Sequence, residues 1–183
     1  MEEEIDIGDA IWEEMTLAKT YTRHIQMYND RQRKWKRNFN YAMLFIAMLL
    51  SVAMVIVNDK FKSYAAYAAI ASMIIDKIRE PFKLWFQPDE ELATLDDMAN
   101  RYASYLTNLE DLNTRFTNGY LKSEDTITSF YKYKSETSTF ASIVNKYMRF
   151  AYKKITAKAQ TETTDYLNNR FSLKKKETDA TRK

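Results

Sequence analysis

Two hydrophobic patterns run along this chain, and each predicts a different element. From Ile11 onward apolar side chains recur at three- and four-residue steps, at Ile11, Trp12, Met15, Ala18, Ile25 and Tyr28, the mark of a helix with one buried face. Gly8 and Asp9 stand where its cap is expected. At 41–57 the period gives way to seventeen consecutive residues without a charge. At about 1.5 Å of rise per residue, this run with the flanking Asn38-Phe-Asn40 reaches roughly the 30 Å of a bilayer core. Nothing between Asp9 and Val57 breaks a helix, so the two patterns are expected to share one continuous helix. The competing reading of the apolar run is a core helix of a soluble bundle. A chain this polar elsewhere offers little protein to wrap around it.

A polar turn, Asn58-Asp-Lys-Phe-Lys62, leads to a second apolar block whose charge-free part covers only 63–75. That is short of the roughly twenty residues that cross a bilayer alone, so by itself it fits an interfacial or re-entrant segment. Three features favour a second crossing. The block follows the first span directly. Ala65, Ala69, Ser72 and Asp76 share one helical face, which lets helices approach closely in lipid. Lys77, Arg79 and Lys83 then restore basic character. The spans are placed at about 39–57 and 62–78 of a hairpin covering 39–80. Ahead of it, Arg31-Gln-Arg-Lys-Trp-Lys-Arg37 holds five cations and no acid, so the N-terminus, and after two crossings the C-terminus, is expected on the cytoplasmic side. Pro81 and Pro88 bracket Phe82-Lys-Leu-Trp-Phe86, where Trp85 suits either the headgroup level or an ordinary hydrophobic elbow.

Beyond Pro88 the helical period returns. Asp89-Glu-Glu91 puts carboxylates at a helix start. Leu95, Tyr102, Leu109 and Phe116 are seven apart, with Met98, Tyr105 and Leu112 between them, a heptad seam that offers a way to join copies of the chain. Gly119 predicts a left-handed cap. Ser123-Glu-Asp125 begins a further helix striped with Ile127, Phe130, Phe140, Val144, Tyr147, Ala151 and Ile155, expected to fold back on the first as an antiparallel hairpin. The predicted fold class is an all-α membrane protein: an N-terminal cytoplasmic helix at 1–38, the transmembrane hairpin at 39–80, a cytoplasmic helical domain at 81–172, and a disordered basic tail at 173–183.

Composition sharpens this. Two glycines and two prolines in 183 residues leave little from which to build hairpins. A mean hydropathy of −0.54 averages one apolar block with long polar helices. The first apolar block begins about forty residues in, too late for a cleaved leader. There is no cysteine and a single histidine, His24, so neither disulfides nor a transition-metal site is expected, and no cofactor. His24 reads as a structural or solvated side chain. No phosphate-cradling glycine loop and no nucleophile elbow occurs, and paired carboxylates such as Glu90/Glu91 and Asp96/Asp97 read as helix starts and solvated faces. The chain is not expected to be an enzyme.

Two features can carry function instead. Ser51, Ser72 and Asp76 are polar inside the apolar blocks, and an ionisable group there is costly unless it meets water or a partner. Asp76 also fits the simple end of a span, paired with Lys77 or Arg79. Ala65, Ala69, Ser72 and Asp76 are the candidate pore lining. The second feature is basic: Lys146, Arg149 and Lys153, joined by Lys154 and Lys158, with Tyr147, Phe150 and Tyr152 interleaved. Cations bind phosphate and rings stack bases, so a nucleotide or single-stranded oligonucleotide is admissible there. The competing reading is a solvated or lipid-facing charge run.

The order of parts resembles a known family. A leading helix ends in Tyr28-Asn-Asp-Arg-Gln-Arg-Lys-Trp-Lys-Arg-Asn38, a two-span hairpin follows, then Asn100-Arg-Tyr-Ala-Ser-Tyr-Leu-Thr-Asn-Leu109, then a glycine turn with acidic restart, Phe116-Thr-Asn-Gly-Tyr-Leu-Lys-Ser-Glu-Asp125. From residue 10 to about 160 this layout is similar to the SLATT family of bacterial two-transmembrane effectors. The resemblance implies a pore-forming effector of antiphage defence in the inner membrane, acting with a nucleotide-producing partner such as a nucleotidyltransferase and depolarising the infected cell. Two spans cannot enclose an aqueous path, so a homo-oligomer, with a tetramer as the working guess, is expected. The alternative is a membrane-tethered helical scaffold that recruits a protein partner and conducts nothing.

Overall fold

The computed structural model describes residues 6–57, 70, 73, 77, 86–150 and 152–181, with the backbone alone described at 51, 53–57 and 172–181. Among these residues the fold is all-α, with no strand. Five helices follow one another: α1 Ile7–Val57, α2 Asp89–Thr117, α3 Ser123–Glu136, α4 Phe140–Tyr147 and α5 Lys153–Thr181. The chain divides into two compact units, Met1–Asn29 with Glu90–Lys183, and Asp30–Asp89.

In the first unit the N-terminal part of α1 and α2 to α5 form an up-down-up-down bundle whose third member is bent. The register follows from paired side chains. Along α1 and α2, Asn29 bonds Asp96 at 2.7 Å and Tyr21 stacks on Tyr102 with centroids 5.0 Å apart, so the helices are antiparallel. Along α1 and α5, Trp12 meets Phe171, Thr20 meets Thr163 and His24 meets Thr156, again antiparallel. The bent member, α3 with α4, runs back along α2, from Phe140 against Tyr102 to Arg149 against Glu91. One core joins Ile11, Met15, Ala18, Ile25 and Tyr28 of α1 to α2, to Phe130, Phe140 and Val144, and to Leu167.

This core corrects the expected role of the heptad seam. Leu95, Met98, Tyr102, Tyr105, Leu109 and Leu112 are buried within the chain, and Phe116 is half-buried beside Gly8. The seam meets the apolar stripe of α1 rather than a second copy, because α1 brings it a complementary face of the same period. The N-terminal helix is accordingly no separate element at 1–38: its first part completes the bundle, and α1 continues unbroken to Val57.

Helix ends explain themselves locally. Asp6, rather than Asp9, caps α1 by accepting from the Gly8 N–H at 2.9 Å. Gly119 ends α2 as its sequence predicts, at φ 74, with Gly119 N–H donating to the Phe116 carbonyl and Tyr120 N–H to that of Arg115. The single helix expected from Ser123 to Ile155 is instead three. It breaks after Glu136, where Ser135, Thr137 and Ser142 turn their hydroxyls onto carbonyls three residues back and compete with the helical ladder. It breaks again between Tyr147 and Lys153. Phe130, Phe140, Val144 and Ile155 of its stripe are buried, but Ile127 is 39% exposed and Ala151 lies outside the described residues. The tail predicted as disordered from 173 is helical to Thr181, in keeping with a stretch free of glycine and proline.

In the second unit Lys36 bonds Asp89 at 2.7 Å, and Phe86 packs between Trp35 and Phe39 at 5.8 and 5.0 Å. Placed at about 100° per residue, the five cations at 31–37 span roughly 220° of the circumference of α1 and leave the side of Gln32 and Trp35 without a cation. Above them Tyr41, Leu44, Phe45, Ile46, Met48, Leu49 and Val52 are 41–69% exposed. They occupy roughly 200° of the helix surface, while Met43, Ala47 and Leu50 on the opposite side are covered or half-covered. Among the described residues no helix is long and apolar enough to cross a membrane. The second apolar block is described only at Ile70, Met73 and Lys77, which are helical; Ala65, Ala69, Ser72 and Asp76 lie outside the described residues.

Candidate ligand groove

A groove of about 630 Å³ opens along the bundle between α1, the turn that joins α4 to α5, and the start of α5. From α1 come Trp12, Glu13, Thr16, Leu17, Thr20, Tyr21 and His24, a set that steps by three and four and so shares one helix face. Val144, Asn145, Met148 and Phe150 close it from the second break in the bent helix, and Thr156 and Gln160 from α5. The broken chain between Tyr147 and Lys153 is what makes the concavity: a continuous helix would have carried Met148 and Phe150 past α1.

The wall surface is largely apolar, and its polar side chains are uncharged apart from Glu13. Thr16 donates to the Trp12 carbonyl and Thr20 to Thr163. His24 Nε2 lies 3.4 Å from the Thr156 hydroxyl, and burial holds its pKa below the ordinary 6.5, so the ring is neutral at pH 7. One step along α1, Arg23 gives both Nε and Nη2 to the Glu162 carboxylate and Nη1 to Gln26 at 3.1 Å. The Arg23 bond holds the Glu162 carboxyl below its ordinary value. Arg23 and Glu162, beside the groove, thus neutralise each other.

Deeper in the bundle, Glu110 is only 6% exposed. It accepts from the Tyr166 hydroxyl at 2.8 Å and pairs with Arg170 at 2.7 Å. Lys19 Nζ stands 3.7 Å from the Tyr166 ring centroid, its pKa lowered by burial and by Arg23. Burial raises the Tyr166 phenol, and burial with Tyr21 nearby pushes Tyr102 up to about 12. Such pairing is what a buried carboxylate requires, and the cluster ties α1, α2 and α5 together. A smaller polar cleft of about 460 Å³ lies between α2 and the α3–α4 junction, with Arg101 on its wall already paired to Asp97 at 2.8 Å.

The five basic candidates are dispersed over three pieces of chain. Lys146 is on α4 with its Nζ 5.2 Å from the Tyr147 ring centroid. Arg149 is in the turn and bonds Glu91 at 2.6 Å. Lys153, Lys154 and Lys158 begin α5, and Lys158 lies 3.8 Å from Glu162. The helical face expected to align Lys146, Arg149 and Lys153 does not form, because the helix ends between them. Sequence reasoning named Trp12, His24, Val144 and Phe150 among the groove residues, none of them as part of a cavity. Among the described residues no group of side chains is suited to a metal ion. Comparison with family models, with curated proteins and with solved structures finds no match to this chain.

Proposed function

We propose that the chain is a membrane-inserted effector whose copies form a pore in the bacterial inner membrane, controlled by a signal received on its helical bundle. The observation that carries this is the arc of seven large apolar side chains, 41–69% exposed, on a helix that continues through a charge-free run to Val57. Water does not tolerate such a surface unpartnered, and acyl chains suit it. The cations at 31–37 spread over roughly 220° of the helix and leave the side of Gln32 and Trp35 without a cation. Such a belt of cations beside a charge-free run suits the end of a span among anionic headgroups. The resemblance of its layout to SLATT proteins supports the same reading, with depolarisation of the infected cell as the outcome and a nucleotide or oligonucleotide from a partner nucleotidyltransferase as the signal.

In this proposal the exposed arc of α1 faces lipid, and the second apolar block, with Ala65, Ala69, Ser72 and Asp76, supplies the lining. Because the heptad seam is closed inside each chain, copies meet through the apolar hairpin or the outer bundle surface. The test is ion efflux from salt-loaded liposomes carrying the purified protein, with nucleotides and short oligonucleotides added. Efflux that a ligand switches is expected, and Asp76→Ala and Ser72→Leu alter it. Wild-type currents from both variants would remove the second block from the lining. Joint Lys146→Glu, Arg149→Glu and Lys153→Glu substitution tests the basic residues as the receiving site.

The burial of the seam also favours a second reading, a membrane-tethered scaffold, since it removes the device expected to join copies. Absence of efflux from correctly inserted protein under every condition would select the scaffold.

A further inference from the structure

We infer that the groove between α1 and the α4–α5 turn is a binding site for an uncharged, planar heteroaromatic small molecule. Its volume, about 630 Å³, falls within the roughly 300–1,000 Å³ of small-molecule sites. Trp12, Tyr21 and Phe150 bring three aromatic rings to its walls, surfaces on which a flat ring system stacks. The lining holds no lysine and no arginine, and its one charged side chain is the carboxylate of Glu13. A phosphate or carboxylate ligand would be desolvated there without a counter-charge. A purely aliphatic ligand fits no better, because it would strip water from the polar side chains of the lining and return no hydrogen bond.

Two of those side chains are available. Asn145 and Gln160 are exposed at the groove, and their side-chain amides make no hydrogen bond to another described residue. Each amide offers a donor and an acceptor side by side, the pair that reads the edge of a nitrogen heterocycle. This site is distinct from the dispersed cations at 146–158, and it stands whether or not the apolar segment forms a pore.

The test is equilibrium dialysis of the full-length protein in lipid nanodiscs, with empty nanodiscs as control and adenosine, caffeine and indole as probes. AMP serves as the charged counterpart of adenosine. Saturable binding of one probe per chain is expected, with AMP weaker than adenosine by about tenfold or more, a difference of about 1.4 kcal/mol. Asn145→Trp, which fills the groove from an exposed position, and Gln160→Ala, which removes one amide, should each weaken that probe about tenfold while leaving the helical circular dichroism unchanged. Failure of all three probes to bind saturably would overturn the assignment. So would AMP binding tighter than adenosine, which would move the ligand to the cations, or undiminished binding by Asn145→Trp.

Discussion

Tyr166 donates its hydroxyl to the nearly buried carboxylate of Glu110 at 2.8 Å, joining the last helix of the bundle to the second. Arg170, one turn further along α5, holds the other oxygen of the same carboxylate. Removing Arg170 leaves a buried charge with one donor, whereas removing the Tyr166 hydroxyl leaves the ion pair. Arg170→Met is therefore expected to destabilise the bundle by about 1–3 kcal/mol, and Tyr166→Phe by less. Unfolding midpoints in urea, read by circular dichroism on protein in nanodiscs, check the order. Equal, negligible shifts would mean that water already serves Glu110.

Leu109 is fully buried in the seam of α2. Leu109→Ala should cost about 2–5 kcal/mol of bundle stability, as cavity-forming substitutions do. The number of copies per particle, measured by light scattering, should stay the same. Loss of assembly with stability intact would return the seam to contacts between copies.

Burial lowers the pKa of His24 below 6.5. The unfolded chain then binds a proton more readily than the folded one, so this residue contributes stability above pH 6.5. That contribution is lost as pH falls from 6.5 through the lowered folded value. His24→Gln should flatten this part of the stability profile, and an unchanged slope just below pH 6.5 would count against a buried neutral ring.

Glu162 behaves in the same sense in a lower window. Its carboxyl is held below the ordinary 4.5 by Arg23, so the pair stabilises the fold above that value and loses its effect as pH falls through the lowered one. Arg23→Met should make the acid limb below pH 4.5 shallower. A steeper limb would contradict the assignment.

Much of the architecture was legible because it is written in local chemistry. The absence of glycine and proline between Asp9 and Val57 fixes the length of α1, and Gly119 marks the end of α2 because the left-handed residue of that cap costs glycine nothing. The seam from Leu95 to Leu112 was visible as a face that must be covered. Its partner was not, since a seven-residue period names the face and leaves open what lies on it. The first break of the bent helix had a signal in Ser135, Thr137, Ser138 and Thr139, masked by the stripe of Phe130, Phe140 and Val144 continuing across it. The second break had none. Met148, Arg149 and Phe150 are all compatible with a helix, and the turn goes with contacts distant in sequence, Arg149 with Glu91 and Tyr152 with Tyr28. The groove depends on that turn, so its residues could be read singly as core aromatics but not as one site.

The pairing of α1 with α2 also sets an order of events during synthesis. Ile11 to Tyr28 leave the ribosome long before Leu92 to Leu112, the face that covers them. Between the two comes the whole apolar region from Tyr41 onward. At about 5–20 residues per second, the first part of α1 waits some seconds with its stripe uncovered while that region emerges. Whatever receives the apolar region, a translocation channel, a lipid surface or a chaperone, therefore meets it before any bundle exists, and a chain arrested before α2 would display both sticky faces at once.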